Sequence, residues 1–223
     1  MNKKTWIIIA GIILGIVLIS AVVIYFVMSP EAPVLVDNYK PKTNIICIDA
    51  GHGGTDPGAV SGERYEKIDT FALALRVAAY IEEAGLEPLL TRSDDTYLSL
   101  GDRCAIANDA DAAYFVSIHR NSAEGGKGTE VWISSQKTSA EKNLAQKILE
   151  GLDKVGIQSN RGVKAGTQGD ANSDYAVNRN TEMPSCIIEL GFITNEEDNR
   201  LFDQHIDEYA KAIADAIIEL MNK

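Results

Sequence analysis

From residue 44 onward, short apolar runs alternate with longer stretches in which apolar residues recur every three or four positions. Runs of the first kind, rich in Ile and Val, predict buried strands, and stretches of the second kind predict helices with one buried face. The predicted strands cover residues 44–50, 86–91, 112–118, 129–133, 175–178 and 185–190. The predicted helices cover residues 66–84, 100–108 (with Ser99 as N-cap), 140–155 and 196–221, and the Gly- and Asn-rich residues 157–174 predict a long irregular loop. This alternation predicts a single three-layer α/β domain, whose central, twisted, mostly parallel or mixed sheet is flanked by helices.

The N-terminal part of the chain has a different character, because residues 6–28 contain no charged side chain. A helix of that length would measure roughly 35 Å at ~1.5 Å per residue, enough to cross a bilayer. We therefore expect a cytoplasmic tail at 1–5, one transmembrane helix at 6–28, a Pro-containing linker at 29–43 and the folded domain at 44–223. Lys3 and Lys4 precede the helix, and the positive-inside rule then places the domain outside the cytoplasm. A cleavable signal peptide is the alternative, but its apolar region is typically about 7–15 residues long.

The charge and the cysteines exclude several classes of protein. A net charge of -11 argues against nucleic-acid binding, which needs clustered Lys and Arg. The Gly-rich segment Gly51–Gly54 is not followed by the Lys and Ser or Thr of a P-loop. Cys47, Cys104 and Cys186 are odd in number and widely spaced, so we expect buried free thiols rather than a disulfide framework or a thiolate metal site.

Three side chains that can take part in metal chemistry follow apolar runs. His52 and His119 each come just after a predicted strand, and Glu189 follows the apolar residues 185–188. Ligands of open α/β sheets bind beyond the carboxyl ends of the strands, so we expect these three side chains to converge at one edge of the sheet. Imidazole is a common zinc ligand, and a catalytic zinc site typically has three protein ligands. The pattern therefore predicts a metal site that supports hydrolysis.

The carboxylate that would complete this site is not settled by the residue pattern. Glu63, Glu66 and Asp69 all lie near the start of the first predicted helix, where an acid also interacts favourably with the helix dipole. Glu189, set between apolar residues, is expected to be partly buried, which favours a raised pKa or a nearby cation and suits a general base. His205 lies among polar residues of the last helix and is interpreted as part of a solvated face.

Several groups of residues occur in an order and spacing that match one enzyme family. They are Asp49–Gly54 with Asp56–Ala59, Glu66–Lys67, Thr91–Arg92, Leu98–Leu100 with Arg103 and Ala107–Asn108, Ser117–His119 with Asn121, and Glu189–Asn195. Together they resemble the type 3 family of zinc-dependent N-acetylmuramoyl-L-alanine amidases, and the resemblance covers about residues 44–222. Ala50 and Arg120 depart from the family pattern, which often has Pro and a small residue at these positions.

The resemblance implies a role for each candidate residue. It implies Zn²⁺ ligands at His52, Glu66 and His119, and a catalytic glutamate at Glu189. Asn121 and the predicted loop at 157–174 are weaker candidates for substrate contact. Because Arg120 directly follows a ligand, we expect it to affect how an anionic peptide stem is held.

The resulting expectation is a membrane-anchored peptidoglycan hydrolase at the cell surface. It would cleave the amide between N-acetylmuramic acid and the L-alanine of the stem peptide, and it would act as a monomer. Some amidases of this family have an inserted helix that covers the zinc, but residues 133–140 leave little room for one, so no obligatory activator is expected. A non-catalytic wall-binding module and a zinc carboxypeptidase are the alternatives; the first predicts no metal and no cleavage, and the second predicts release of terminal residues.

Overall fold

The computed structural model describes residues 39–136 and 138–222. The strands are β1 (Ile45–Ala50), β2 (Val60–Ser61), β3 (Arg64–Tyr65), β4 (Glu87–Leu90), β5 (Tyr114–Asn121), β6 (Thr129–Ile133), β7 (Asn160–Ala165) and β8 (Ser185–Phe192). The helices are α1 (Glu66–Glu83), α2 (Leu100–Asp109), α3 (Ser139–Val155), α4 (Ala176–Asn180) and α5 (Glu196–Met221). The predicted α/β class is confirmed.

Six strands form one mixed sheet in the order β4-β1-β5-β8-β6-β7. β4, β1, β5 and β8 are mutually parallel, whereas β6 runs antiparallel to β8 and parallel to β7. β2 and β3 form a separate hairpin of two-residue strands just before α1. Because β1, β5 and β8 are parallel neighbours, their carboxyl ends lie side by side at one edge of the sheet.

Helices cover both faces of the sheet, as the three-layer prediction requires. Alternate residues of the strands pack against α1, α3 and α5 in the larger apolar core, where Ile46 and Ile48 of β1 lie. The intervening residues, such as Cys47 of β1 and Phe115 of β5, pack on the other face with α2 and α4. This alternation follows from the two-residue period of a strand. The thiols of all three cysteines are buried and free, as expected.

The helix boundaries agree with the sequence pattern at most ends. α2 begins after Ser99, whose hydroxyl accepts a hydrogen bond from the Asp102 amide in a capping box. α3 begins after an equivalent capping box formed by Thr138 and Glu141. α5 has the predicted bounds, but His205 interrupts it with φ -122° and ψ 19°, which divides the helix at a kink.

Two predictions about the region after α3 are wrong. Residues 157–174 are not an irregular loop throughout, because Asn160–Ala165 forms β7 at the edge of the sheet. β7 begins with polar residues and therefore lacks the apolar run that predicts a strand. Of its residues, only Val163 and Ala165 pack against the core. Residues 175–178 are not a strand, because Ala176–Asn180 forms the short helix α4.

The anchor predicted at 6–28 and the tail at 1–5 lie outside the described residues. None of the helices in residues 39–136 and 138–222 is long and apolar enough to cross a membrane. The end of the predicted linker already packs on the domain, because the Tyr39 hydroxyl donates a hydrogen bond of 2.7 Å to the Ala113 carbonyl. The Thr43 hydroxyl likewise donates to the Asp111 carbonyl at 2.8 Å.

Candidate metal centre

The turn after β1 holds His52 in an unusual backbone conformation. His52 has φ 61°, in the left-handed region that a non-Gly residue seldom adopts. Paired hydrogen bonds between the main chains of Gly53 and Asp56, at 2.9 and 3.0 Å, close the following turn. The strained conformation directs the imidazole towards α1 instead of continuing the strand direction.

His119 and Glu189 lie opposite each other on neighbouring strands. They are register partners in the parallel pair of β5 and β8, which places both side chains on the same face of the sheet. Gly51 allows the His119 ring to approach the turn after β1, because a Cβ atom on Gly51 would lie 2.3 Å from the ring. The rings of His52 and His119 meet edge to face with their centroids 4.9 Å apart.

Glu66, the first residue of α1, connects the two histidines. Its Oε2 lies 3.2 Å from Nε2 of His52, and its Oε1 lies 2.9 Å from Nδ1 of His119. The carboxylate also accepts hydrogen bonds from the amides of Ala59 and Arg120. One ligand atom from each of these three residues lies within 4.8 Å of the others, so the group could hold a metal ion.

The other two carboxylates that the sequence left open have different surroundings. Glu63 is exposed to solvent. Asp69 forms buried ion pairs with Arg64 at 2.7 Å and with Arg120 at 2.6 Å. Glu66 is therefore the acid of this helix start that meets both histidines.

Electrostatics at the three residues favour a cation. Burial raises the pKa of Glu66, but hydrogen bonds and charge from His119 and His52 outweigh it and hold the pKa well below its usual range. Burial alone would lower the pKa of His119, but Glu66 reverses this effect and raises it to about 9. The pKa of His52 is raised for the same reason. A carboxylate that attracts protons to both imidazoles also attracts a metal ion between them.

Glu189 lies beside this cluster with a carboxylate oxygen left unpaired. Its Oε2 is buried and has no hydrogen-bond partner among the described residues. Burial raises the pKa of Glu189 to about 7, the charges of Glu66 and Glu130 add to the rise, and His119 opposes it. A carboxyl group with such a pKa exchanges protons readily at neutral pH. The raised pKa agrees with what the apolar residues around Glu189 predict.

A second layer of carboxylates, which sequence reasoning did not single out, fixes the two histidine-bearing segments. Asp56 Oδ2 lies 2.8 Å from Nδ1 of His52, and its Oδ1 accepts from the Gly58 amide. Asp49 is buried between β1 and β5, where it accepts hydrogen bonds from Ser117 and Arg103. The only sequence signal for Asp49 and Asp56 is their place in the segments around Gly51.

A cavity of about 360 Å³ opens beside the metal cluster, and we refer to it as the site cavity. Glu66, His119 and Glu189 line it on one side, together with Asn121. The predicted convergence of His52, His119 and Glu189 at one edge of the sheet is thus present in the structure. His205 lies outside this cluster, 3.9 Å from Glu208.

The two expected substrate contacts have different environments. The Asn121 amide is half-buried and donates to Glu130 at 3.1 Å. The Arg120 side chain is fully buried, and its guanidinium pairs with Asp69 and Asn199 and lies over the Phe202 ring. The guanidinium is thus held inside the domain by α1 and α5, and an effect of Arg120 on how a peptide stem is held stays a prediction.

Comparison with known proteins places the chain in a family. The sequence profile of a family described as N-acetylmuramoyl-L-alanine amidase matches residues 46–219. The chain belongs to this amidase family. The catalytic domain of CwlV, an N-acetylmuramoyl-L-alanine amidase from Bacillus (Paenibacillus) polymyxa var. colistinus, superposes with a TM-score of 0.71 at 36% identity, over 80% of this chain and 98% of that one.

Two curated relatives extend the comparison to whole proteins. The protein YqiI of Bacillus subtilis (strain 168) is 38% identical over 175 residues, which cover 78% of this chain and 81% of that protein. The probable cell wall amidase LytH of Staphylococcus aureus is 32% identical over 196 residues, covering 83% of this chain. The match spans 61% of LytH, so the remainder of LytH has no counterpart in this comparison.

Proposed function

We propose that this amidase hydrolyses the amide between the lactyl group of N-acetylmuramic acid and the L-alanine of the peptidoglycan stem. The observation that supports this most directly is the convergence of His52, Glu66 and His119 beside an unpaired Glu189 in the site cavity. The family match supports the same reaction. Water adds to the lactyl carbonyl carbon, the C–N bond breaks, and the products are a lactyl carboxylic acid and a free L-alanine amine.

We assign a zinc ion to His52, Glu66 and His119. Two imidazoles and one carboxylate match the donor set of His₂Glu zinc hydrolases, and Glu66 provides the negative charge between the rings. When bound, zinc supplies Lewis acidity that polarises a carbonyl and lowers the pKa of water. The contact between Asp56 and Nδ1 of His52 fixes the ring so that Nε2 faces Glu66.

Glu189 is proposed as the group that moves the proton. Its unpaired Oε2 takes a proton from the attacking water and later returns it to the nitrogen of the leaving L-alanine. Its pKa of about 7 suits both directions, since the protonated and ionised forms are similarly populated near neutral pH. No donor among the described residues reaches this oxygen, so the ionised form lacks the hydrogen bond that would lower its basicity.

A digest of purified peptidoglycan tests the reaction. Mass analysis should find stem peptides with a free L-alanine amine, and a chelator should stop their release until zinc is returned. Release of a single C-terminal residue would instead indicate a carboxypeptidase, and absence of both bound zinc and cleavage would indicate a wall-binding module.

Two matched pairs of variants test the assigned roles. Glu189→Gln should keep zinc bound but lose nearly all cleavage, whereas Glu182→Gln, on an exposed side chain, should retain both. Glu66→Gln should lose zinc, whereas Glu63→Gln, the exposed neighbour, should keep it. Full activity of Glu189→Gln would remove Glu189 from the mechanism.

We further propose that residues 6–28 anchor the protein in the cell membrane with the catalytic domain facing the wall. The charge-free run supports the anchor, and the cell wall amidases among the relatives support the location. Protease added to intact protoplasts should then remove the domain but leave the N-terminal residues membrane-bound. Recovery of the whole chain in the soluble fraction would contradict the anchor.

The enzyme is proposed to act as a monomer without an obligatory activator. β6 ends at Ile133 and α3 begins at Ser139, which supports the absence of an inserted covering helix there. A relative, the CwlD amidase of Clostridioides difficile, was solved in complex with the GerS lipoprotein. The purified chain should cleave peptidoglycan without any other protein. Negligible cleavage until a second protein is added would refute the proposal.

A further inference from the structure

The site cavity has an apolar side beside the metal cluster. We call this side the apolar wall; it consists of Tyr97, Leu98, Leu100, Tyr175, Val177 and Ile187. Tyr97 and Leu100 are 52% and 56% exposed, among the few large apolar side chains of the described residues that face solvent. Single exposed apolar residues are common, but a group of apolar side chains that line one cavity indicates a ligand surface.

The apolar wall is continuous with the reacting groups and is held in place. Ile187 precedes Glu189 by two residues on β8, so both side chains lie on the same face of the sheet. The Tyr175 ring packs edge to face on Trp132 at 5.6 Å, and its hydroxyl accepts a hydrogen bond from the Gln168 amide. A group next to the scissile amide therefore meets a preformed apolar surface.

Neither basic side chain that lines the site cavity is free to bind an anion. The Arg103 side chain is 3% exposed and pairs with Asp49 at 2.7 Å, while it also donates to the carbonyls of Ala50 and His52. The Arg120 side chain is fully buried: it pairs with Asp69 at 2.6 Å and donates to Asn199, and its Nε, which has no partner in the described part of the chain, is buried as well. Among the described residues that line the cavity, no other Lys or Arg is present.

The remaining charged groups of the cavity are acidic. Asp56, Glu66 and Glu189 line it: Glu66 would be a ligand of the ion, Asp56 contacts His52, and Glu189 has the unpaired oxygen. An anion placed against the apolar wall would lose hydration without gaining a free Lys or Arg side chain as a partner.

We propose that the site cavity selects an uncharged substrate segment, so that a stem whose second residue carries a carboxamide is preferred to one with a free carboxylate. The proposal rests on the amidase function proposed above and specifies its substrate class. The apolar wall supplies the attraction, and the lack of a free cationic side chain supplies the discrimination against the acid. Leaving the charge of a wrong substrate desolvated and unpaired is one way in which a site becomes specific.

The proposal can be tested with two synthetic muramyl peptides whose second residue carries either a carboxamide or a free carboxylate. Both are assayed with the full zinc-loaded chain in detergent. The carboxamide should show a kcat/KM at least about tenfold higher than the carboxylate. Calorimetry with Glu189→Gln should give dissociation constants in the same order without turnover. Equal values, or a preference for the acid, would overturn the proposal. If neither peptide were cleaved, the amidase assignment would fail, while the ratio of dissociation constants would still decide the question of charge.

A charge introduced into the apolar wall provides a second test. Leu100→Lys should raise kcat/KM for the carboxylate peptide and bring the two substrates within about threefold of each other, since the lysine gives the acid a partner. Ile68→Lys is the matched control, because Ile68 is 59% exposed on α1 and does not line the site cavity. It should leave the tenfold preference unchanged. If both variants change the ratio of the two kcat/KM values equally, the net charge of the protein determines the preference and the apolar wall does not, and the proposal fails.

Discussion

Replacing Arg103 with Met should destabilise the domain more than any surface charge can. Arg103 and Asp49 form an ion pair at 2.7 Å with side chains 3% and 1% exposed. The substitution removes the charge that neutralises Asp49 and leaves the carbonyls of Ala50 and His52 without their guanidinium donors. Breaking a buried pair by removing one partner costs about 3–5 kcal/mol. For a domain of this size that loss lowers the melting temperature by about 6–20 °C.

The matched control is Arg76→Met, which breaks an exposed pair. Arg76 and Asp207 also lie 2.7 Å apart, but their side chains are 41% and 67% exposed. Such a pair contributes about 0–1 kcal/mol, because solvent screens the charges. Urea unfolding at pH 7 of both variants, without metal and with zinc, gives the two free energies of unfolding. Losses that agree within about 0.5 kcal/mol would refute the role of burial.

The pH dependence of the loss gives a second check. Burial raises the pKa of Asp49, but Arg103 and hydrogen bonds from Ser117 and Thr91 outweigh it and hold the pKa below its usual range. In the native protein, the ionised Asp49 therefore stabilises the fold at neutral pH, and this stabilisation is lost as pH falls through the lowered pKa. Without Arg103, the charge that most opposes burial is gone, so the folded pKa of Asp49 moves upward from its lowered value. The cost of Arg103→Met should then be largest at neutral pH and shrink as the solution is acidified; a loss that is constant with pH would contradict this account.

Three further substitutions have expected outcomes. Asp56→Asn should weaken zinc binding about 10–100-fold in a competition titration, whereas Asp207→Asn, on an exposed carboxylate that contacts Arg76 instead, should not. Gly51→Ala should abolish zinc binding, because the new Cβ would lie 2.3 Å from the His119 ring, while Gly101→Ala, whose Cβ meets nothing closer than 3.7 Å, should bind normally. Thr138→Ala should cost about 1 kcal/mol in thermal unfolding through loss of the α3 cap and leave cleavage unchanged.

The sequence predicted the parts of the fold whose apolar periodicity is strong. The strands that became β1, β5, β6 and β8 each contain buried apolar residues at consecutive or alternate positions. β7 was not predicted, because it is an edge strand that begins with exposed Asn160 and Arg161. α4 has five residues and the hairpin strands have two each, so none is long enough to establish a period.

Some residues of the site can be predicted from the local sequence, whereas others depend on contacts between residues that are far apart in the chain. The positions of His52 and His119 follow from strand ends, which are local features of the sequence. The residue pattern left Glu66 as one of three acids, and only the family resemblance selected it, because its contact with His119 joins residues 53 positions apart. The burial of Arg120 depends on Asn199, 79 positions away on α5, and no local pattern contains that partner.

The spacing of the two histidines is set by residues that do not touch the cluster. Asp49 on β1 accepts a hydrogen bond of 2.6 Å from Ser117 on β5, two residues before His119. The Arg103 guanidinium joins the same carboxylate to the His52 carbonyl. One buried carboxylate thus ties together the strand ends that present both imidazoles. Because close packing leaves these ends little freedom, the geometry offered to a metal depends on Asp49 and Arg103 as well as on the ligands. Arg103→Met should therefore weaken zinc binding in addition to stability, although Arg103 contributes no ligand.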